Sequence, residues 1–347
     1  MYVSLKDVAA RAGVSFQTAG KVLNGQQRGV VAEATRQRIL RAADELGYVR
    51  NALARSLVTR STYTIGIIAD NDWVLSQFVI GAERRARMHG HAVLIGTVQL
   101  DSGDARQYAR QLLERRVDGV IAAAPSLEND EATAQLLRGP VKSVSIHHVP
   151  GGGVPVVGSD HSETGRLAAE HLLRLGHRRI ATVIGPRQRR VVATRLRGFR
   201  TALAAGGVRL GTRRIAEADW SVAGGFRAAG ALFDADPAIT AIYAQSDLMA
   251  MGVLAALARR GQRIPDDCAV VGCDDMPFAP YTIPPLTTVH VPFYETGERA
   301  MSLLLDRIAG GETASRVLLP VHLVVRDSTV GGDRIEAEES SLDEELV

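Results

Sequence analysis

Residues 15–24 read SFQTAGKVLN, and in a helix the four-residue spacing of Gln17 and Lys21 sets an amide and an ammonium on one face. A Gln side chain can bond an adenine edge and a Lys can bond guanine, so this pair has the chemistry to read a major groove. Ser15, Phe16, Thr18 and Asn24 complete the candidate DNA-contacting set on and around this helix. Positioning them takes two crossing helices. Ser4 can cap the first, where Leu5, Val8, Ala9 and Ala12 repeat as an apolar stripe and Gly13 forms the break. Ser15 can cap the second, through about Asn24, with Val22 and Leu23 inward and Phe16, Gln17, Gly20 and Lys21 outward. Small residues at Ala9 and Ala10 allow a close crossing. Taken alone, the segment also fits an ordinary helical hairpin with a solvated polar face.

Charge argues for the DNA reader. Across residues 1–60 ten Lys and Arg face four acids, a net +6, whereas the whole chain carries +3. Positive charge concentrated at one end suits a small basic module on a larger neutral body. Residues 33–47 are expected to form a third helix with Ile39, Leu40, Ala43 and Leu46 as its buried stripe, ended by Gly47. NALARSLVTRST follows Arg50; it is helix-prone but too short to nucleate alone, so it should order only on a partner. There Leu57 can wedge into a minor groove when two copies meet, or simply pack on the body.

The run DVAARAGVS, KVLNG, TRQRILRAADELGY and NALARSL is similar, in order and spacing, to the headpiece and hinge of the LacI family of bacterial transcription repressors. The likeness continues through HLLRLGHRRIA, AIYAQSDLMAMG, VVGCDDMPFA, IPPLTTV and LVVRDST, nearly the whole chain. It implies a homodimer that grips a near-palindromic operator and changes that grip when a small ligand enters the core. It also places Asn51, Ala54 and Leu57 among the DNA contacts of a hinge. The chain departs from the family at Ala19, Gly20 and Lys21, where Val, Ser and Arg are usual, and at Ala32, where a Ser cap is usual. Glycine in a helix interior costs about 1 kcal/mol, and Lys lacks the planar fork that binds guanine bidentately.

From about residue 62 apolar runs (TIGIIA, HAVLIG, GVIAAA, VKSVSI, RIATVIG, AIYA, CAVVGC) alternate with amphipathic stretches, the order of an α/β body with parallel sheets under helices. The expected fold class is therefore α plus α/β: a helix-turn-helix headpiece (1–50), a hinge and linker (51–61) and a body (62–330), with an acidic tail (331–347) expected to be disordered. Length alone suggests two lobes in the body. The resemblance supplies a two-lobed, periplasmic-binding-protein-like topology with crossovers near 160, 291 and 321. The first lobe would take about 62–160 and 292–320, the second 161–291 and 321–330.

Ligands of open α/β sheets sit beyond the carboxyl ends of the strands, so the cleft between the lobes is the expected site. Trp220 offers a platform for a sugar face or a heterocycle, Arg195 a donor fork, and Asp274 with Asp275 acceptors for adjacent hydroxyls. Each also has a plain alternative: core filler, surface ion pair, and turn cap. By resemblance to the lactose-repressor-like branch around DWS and SQF, Arg195, Trp220, Asp274 and Phe293 correspond to sugar-contacting positions, with Phe78 and Trp73 on the opposite lobe. Ser246 and His147 stand where Asn and Asp are common, and the added aromatic area at Trp73 suggests a β-linked disaccharide or related oligosaccharide.

Other classes fit less well. A sugar-transport receptor would need an export signal, and MYVSLKDVAARAG has no apolar core; no stretch reaches a membrane span, so a cytoplasmic protein is expected. An enzyme reading finds no P-loop, HExxH or GxSxG, and Gly151–Gly153 reads as a turn. A relative needing a purine or phosphoprotein corepressor stays open. No cofactor or metal is expected: Cys268 and Cys273 should face opposite sides of a strand, and nine His are scattered without ligand spacing. The tail lacks leucine heptads, so a dimer rather than a tetramer is expected.

Overall fold

The computed structural model describes residues 3–23, 31–49, 56, 61–70, 73–98 and 105–331, with the side chains of 73–75 left aside. Asn24, Asn51, Ala54 and Leu57, the Trp73 side chain, nearly all of the hinge and the tail beyond 331 lie outside the described residues, with the expectations placed on them. The chain divides into two compact units, residues 1–62 and 63–347.

In the first unit, α1 (Leu5–Ala12) opens on a capping box: Ser4 Oγ accepts the Asp7 N–H, and the Asp7 carboxylate accepts the Ser4 N–H at 2.8 Å. Gly13 ends α1 in the left-handed region, φ 63°. Ser15 Oγ accepts the Thr18 N–H at 3.1 Å and so caps α2 (Phe16–Leu23). α3 (Glu33–Glu45) starts at Ala32 without a side-chain cap. Val8, Ala9, Ala12, Ala19, Val22, Leu23, Ile39, Ala42 and Ala43 form one core. Arg38 Nε donates to the Ala12 carbonyl at 2.8 Å, tying α3 to the end of α1. Leu40 corrects the sequence expectation, being 36% exposed. The true stripe is Ile39, Ala42, Ala43 and Leu46, at i, i+3, i+4, i+7, and Leu40 lies one residue, about 100°, away from it.

A Cβ at Gly20 would meet only Leu5 Cδ2, at 3.4 Å, an ordinary contact. Gly20→Ala should therefore stabilise the headpiece by about 1 kcal/mol by removing unfolded-state freedom. Hydrogen exchange of α1–α3 amides in the full chain should slow about fivefold; faster exchange would show that the crossing cannot admit a methyl.

The second unit begins with β1 (Thr64–Asp70), α4 (Trp73–Met88), β2 (Ala92–Val98), α5 (Ala105–Glu114), β3 (Gly119–Ala123), α6 (Glu131–Leu137), β4 (Lys142–Ser145) and β5 (Val156–Ser159). It continues with α7 (His161–Arg174), β6 (Ile180–Ile184), α8 (Arg190–Ala205), β7 (Ile215–Glu217), α9 (Val222–Ala235), β8 (Ala241–Ala244), α10 (Asp247–Arg259), β9 (Ala269–Asp274) and β10 (Thr287–His290). α11 (Phe293–Ile308), β11 (Arg316–Leu319) and β12 (His322–Val324) complete it.

Two six-stranded sheets result, ordered β11-β5-β4-β3-β1-β2 and β12-β10-β9-β8-β6-β7. Every pairing is parallel except β10 with β12. Central strands β3 and β6 are buried at every position, as sheets covered on both faces require. The chain passes between lobes three times: from β5 into α7, from β10 into α11, and from β11 into β12. Cys268 and Cys273 lie in the cores on opposite faces of the second sheet, both free.

α7 and α8 cross almost backbone to backbone. A Cβ on Gly165 would stand 2.0 Å from the Arg195 carbonyl oxygen, and one on Gly198 would stand 1.9 Å from that of Ser162. Only glycine allows that approach, and it fixes where α8 presents Arg195.

Candidate functional site

The headpiece presents an exposed polar face on α2. Gln17 and Lys21 are exposed on α2, Phe16 is 52% exposed, and Ser15 and Thr18 hydroxyls bond each other at 2.8 Å beside them. Ala19, Val22 and Leu23 hold the opposite side of the helix in the core.

In the body, polar side chains from both lobes meet beyond the carboxyl ends of the strands. Arg195 is buried on α8; its guanidinium donates to the Gln245 carbonyl and, at 3.1 Å, to Asp274 Oδ1 at the end of β9. It is thus a buried ion pair rather than the surface pair that its sequence also allowed. Asp247, at the start of α10, accepts from Thr288 Oγ1 at 2.6 Å and from the Met276 N–H at 2.7 Å, clamping the turn after β9. Burial, and Asp274 beside it, push the Asp247 carboxyl well above the usual range. Ser246 Oγ caps α10 by accepting the Met249 N–H at 3.2 Å, so its oxygen serves the helix and its proton remains to donate.

The first lobe supplies Asp70 at the end of β1, Glu128 after β3 and His147 after β4. Ser126 Oγ donates to Asp70 at 3.1 Å, and His147 Nδ1 lies 3.9 Å from Glu128 Oε1. Glu128 reaches across: its Oε2 accepts the Arg190 N–H at 3.2 Å, at the first turn of α8. Burial lowers the His147 imidazole to about 4, with Arg189 adding to the shift, and lowers His161 well below the usual value, with Arg195 and His147 adding. Among the described residues, His147 Nε2, His161 Nδ1, Arg195 Nε and Gln245 Oε1 are buried atoms with no hydrogen-bond partner in the protein. They form a set of donors and acceptors of the kind a ligand satisfies.

Trp220 is half-buried and lies over Gly185, where a Cβ would come 2.2 Å from its ring. Trp220, Asp274 and Asp275 all have positive φ (65°, 117° and 53°), a strained set beyond β7 and at the end of β9, in the second lobe. Phe293, partly buried at the α11 start, packs against the second-lobe core.

Phe78 is a correction. It is completely buried in the first-lobe core, on the face of α4 that packs against α11, and so cannot line a cleft. The resemblance around SQF put Phe78 at the site, but the helix turns its side chain inward. Sequence reasoning also passed over Asp70, Glu128, His161, Gln245 and Asp247. Gln245 and Asp247 flank Ser246 within AIYAQSDLMAMG, a signal that was at hand; no motif marked the other three. A surface depression of about 700 Å³ runs along β7 between Pro186, Glu217 and Arg227, wholly within the second lobe. It has none of the four unpartnered atoms on its lining.

Residues 4–51 match the model of bacterial regulatory proteins, lacI family, and residues 169–329 match that of the periplasmic binding protein-like domain. The HTH-type transcriptional regulator CelR of Thermobifida fusca is 36% identical over 342 residues, covering 94% of this chain and 98% of that protein. The chain belongs to the LacI family. The repressor CytR of Escherichia coli K12 is 30% identical, covering 94% of this LacI-family chain and 96% of its own. Among solved structures, the lac repressor dimer bound to operator and the anti-inducer ONPF superimposes with a TM-score of 0.85 at 30% identity, over 95% of this chain and 99% of that one. A CelR–cellobiose complex gives a TM-score of 0.70 at 33% identity, over 94% and 99%. The LacI-family relatives in these comparisons are transcription regulators. Among the described residues no helix is long and apolar enough to cross a membrane.

Proposed function

We propose that this LacI-family chain is a cytoplasmic repressor of carbohydrate-utilisation genes that binds its operator as a homodimer and is released by a β-linked disaccharide or related glycoside held between the lobes. It is a binding protein and not an enzyme. Residues 1–50 act as the reading module, 51–61 as the hinge, and 62–330 as the effector and dimer core. Gln17 and Lys21 read bases, with Ser15, Phe16 and Thr18 around them. Arg195, Asp274, Trp220, Phe293, Ser246 and His147 line the sugar site, and Trp73, whose side chain lies outside the described set, is assigned to it by resemblance.

The observation that carries this reading is the set of buried, unpartnered donors and acceptors drawn from both lobes, on the same chain as an exposed Gln17–Lys21 face. Hydroxyls satisfy such a mixed set, and a half-buried indole suits the apolar face of a sugar ring. CelR is described in complex with cellobiose, which favours the same ligand class here. For the dimer, Ile80, Met88, Leu94, Ile95, Tyr281 and Ile283 are large apolar side chains left exposed. Leu94 and Ile95 lie on β2, an edge strand that a second copy would cover.

An inducer weakens operator binding only by favouring the lobe arrangement that binds DNA less well, typically by 1–3 kcal/mol per site, about 5- to 150-fold. Titrating disaccharides and purines against the protein on a labelled palindromic duplex, at fixed salt, tests ligand class and sign together. Release by a β-linked disaccharide is expected; tighter binding on adding a purine would instead make the chain a corepressor-dependent member. Trp220→Ala should abolish release while leaving operator affinity within about twofold, because the headpiece is a separate unit.

A further inference from the structure

We propose that Glu128 makes the interlobe cleft selective for an uncharged ligand, shutting out sugar phosphates by occupying, from the first lobe, the N-terminus of α8 in the second. This rests on the reading of the cleft as the sugar site. α8 runs sixteen residues from Arg190, and its N-cap, Arg189, makes no side-chain cap bond. The free N–H groups and positive dipole end of such a helix, with Arg189 and Arg190 beside it, are where a phosphate would be drawn. Glu128 is already there. Its Oε2 takes the Arg190 N–H at 3.2 Å, sixty-two residues away in sequence and across the lobes. The side chain is 6% exposed, so its charge is held where solvent screens it weakly.

The rest of the cleft repeats that balance. Asp70, Asp247 and Asp274 are also buried, so four buried carboxyl groups stand against one buried guanidinium, Arg195, which is already paired with Asp274. His147 and His161 add no positive charge near neutrality, since burial holds both imidazoles well below their ordinary value. What the cleft offers an incoming group is neutral hydrogen bonding from His147, His161 and Gln245, plus the Nε–H of Arg195. Hydroxyls answer that; a dianion placed near Glu128 and Asp70 meets like charge in a poorly screened site.

Isothermal titration of the full chain with cellobiose, laminaribiose and gentiobiose, and with the 6′-phosphate of each, tests this. The wild type should bind a neutral sugar at least a hundredfold more tightly than its phosphate. Glu128→Gln keeps the amide oxygen for the Arg190 N–H but removes the charge, and should shrink that ratio at least tenfold, while Glu128→Asp should retain it. Comparable binding of sugar and phosphate by the wild type, or an unchanged ratio in Glu128→Gln, would overturn the role of Glu128 and leave the sugar site standing. Binding of none of the neutral sugars would overturn the sugar reading itself, and this inference with it.

Discussion

Replacing Arg195 with Leu should cost the core about 3–5 kcal/mol, the range for breaking a buried ion pair from one side. The loss follows from what is left behind. Asp274 is 7% exposed, and without the guanidinium its carboxylate faces Asp247, a second buried acid whose carboxyl already resists ionisation. The Gln245 carbonyl loses its donor in the same step. Urea unfolding followed by tryptophan fluorescence reads the core alone, because Trp73 and Trp220 both lie in the second unit. Arg195→Leu combined with Asp274→Leu should recover part of the loss, since removing both partners leaves neither member of the pair as an uncompensated buried charge. A single variant that unfolds within 1 kcal/mol of the wild type would mean that the pair is solvated in solution.

Acidification should destabilise the core between pH 6.5 and 4. Burial holds His147 and His171 at about 4 in the folded state, whereas the unfolded chain protonates them near 6.5. The unfolded state therefore binds protons first as pH falls. The stability these groups contribute is full above pH 6.5 and drains away toward pH 4. At about 1.4 kcal/mol per unit, each is worth roughly 3 kcal/mol over that window. His171 also loses its bond to Thr329 Oγ1, 2.8 Å from Nε2, in whichever tautomer makes Nε2 the acceptor. Glu128 works in the opposite sense, because burial raises its carboxyl and the folded state takes up that proton early, offsetting part of the loss. The headpiece has no histidine. Ser4 holds the Asp7 carboxyl of its capping box below the usual range, so that cap survives to the acid end of the window. Thermal melts at pH 7.5, 6, 5 and 4.5 should show the fluorescence transition falling steadily while α1–α3 amides keep their protection. A flat core transition across that range would count against neutral buried imidazoles.

The two effects share a cause in the way the lobes are built. Three crossovers let strand ends from both sheets face each other, so ionisable groups from distant parts of the chain are desolvated together. The same desolvation that makes Arg195–Asp274 costly to break gives the cleft its unpartnered atoms. A regulator can use this arrangement, since a ligand that satisfies those atoms favours one lobe arrangement by its own binding energy.

Much of this was legible before any fold was known. The capping signals at Ser4 and Ser15, the break at Gly13 and the inward Val22 and Leu23 are local consequences of backbone hydrogen bonding and helical periodicity, and they stand in the structure as read. So does the alternation of apolar runs and amphipathic stretches that produces parallel sheets under helices. Leu40 was misplaced because it is apolar and adjoins the true stripe, and Phe78 because a resemblance assigns a position without saying which way its side chain turns. Which side of a helix faces the core is a matter of 100° per residue and of what packs there.

By itself, then, the order of residues determined where helices begin and end, which face of α2 meets solvent, and that the body alternates strand and helix, because those depend on interactions among near neighbours. Tertiary structure alone decided that Arg195 pairs with Asp274, that Glu128 caps a helix of the other lobe, and that Phe78 belongs to the core. These contacts join residues tens of positions apart, and their energies come from excluding water when the lobes pack, a quantity no local pattern encodes.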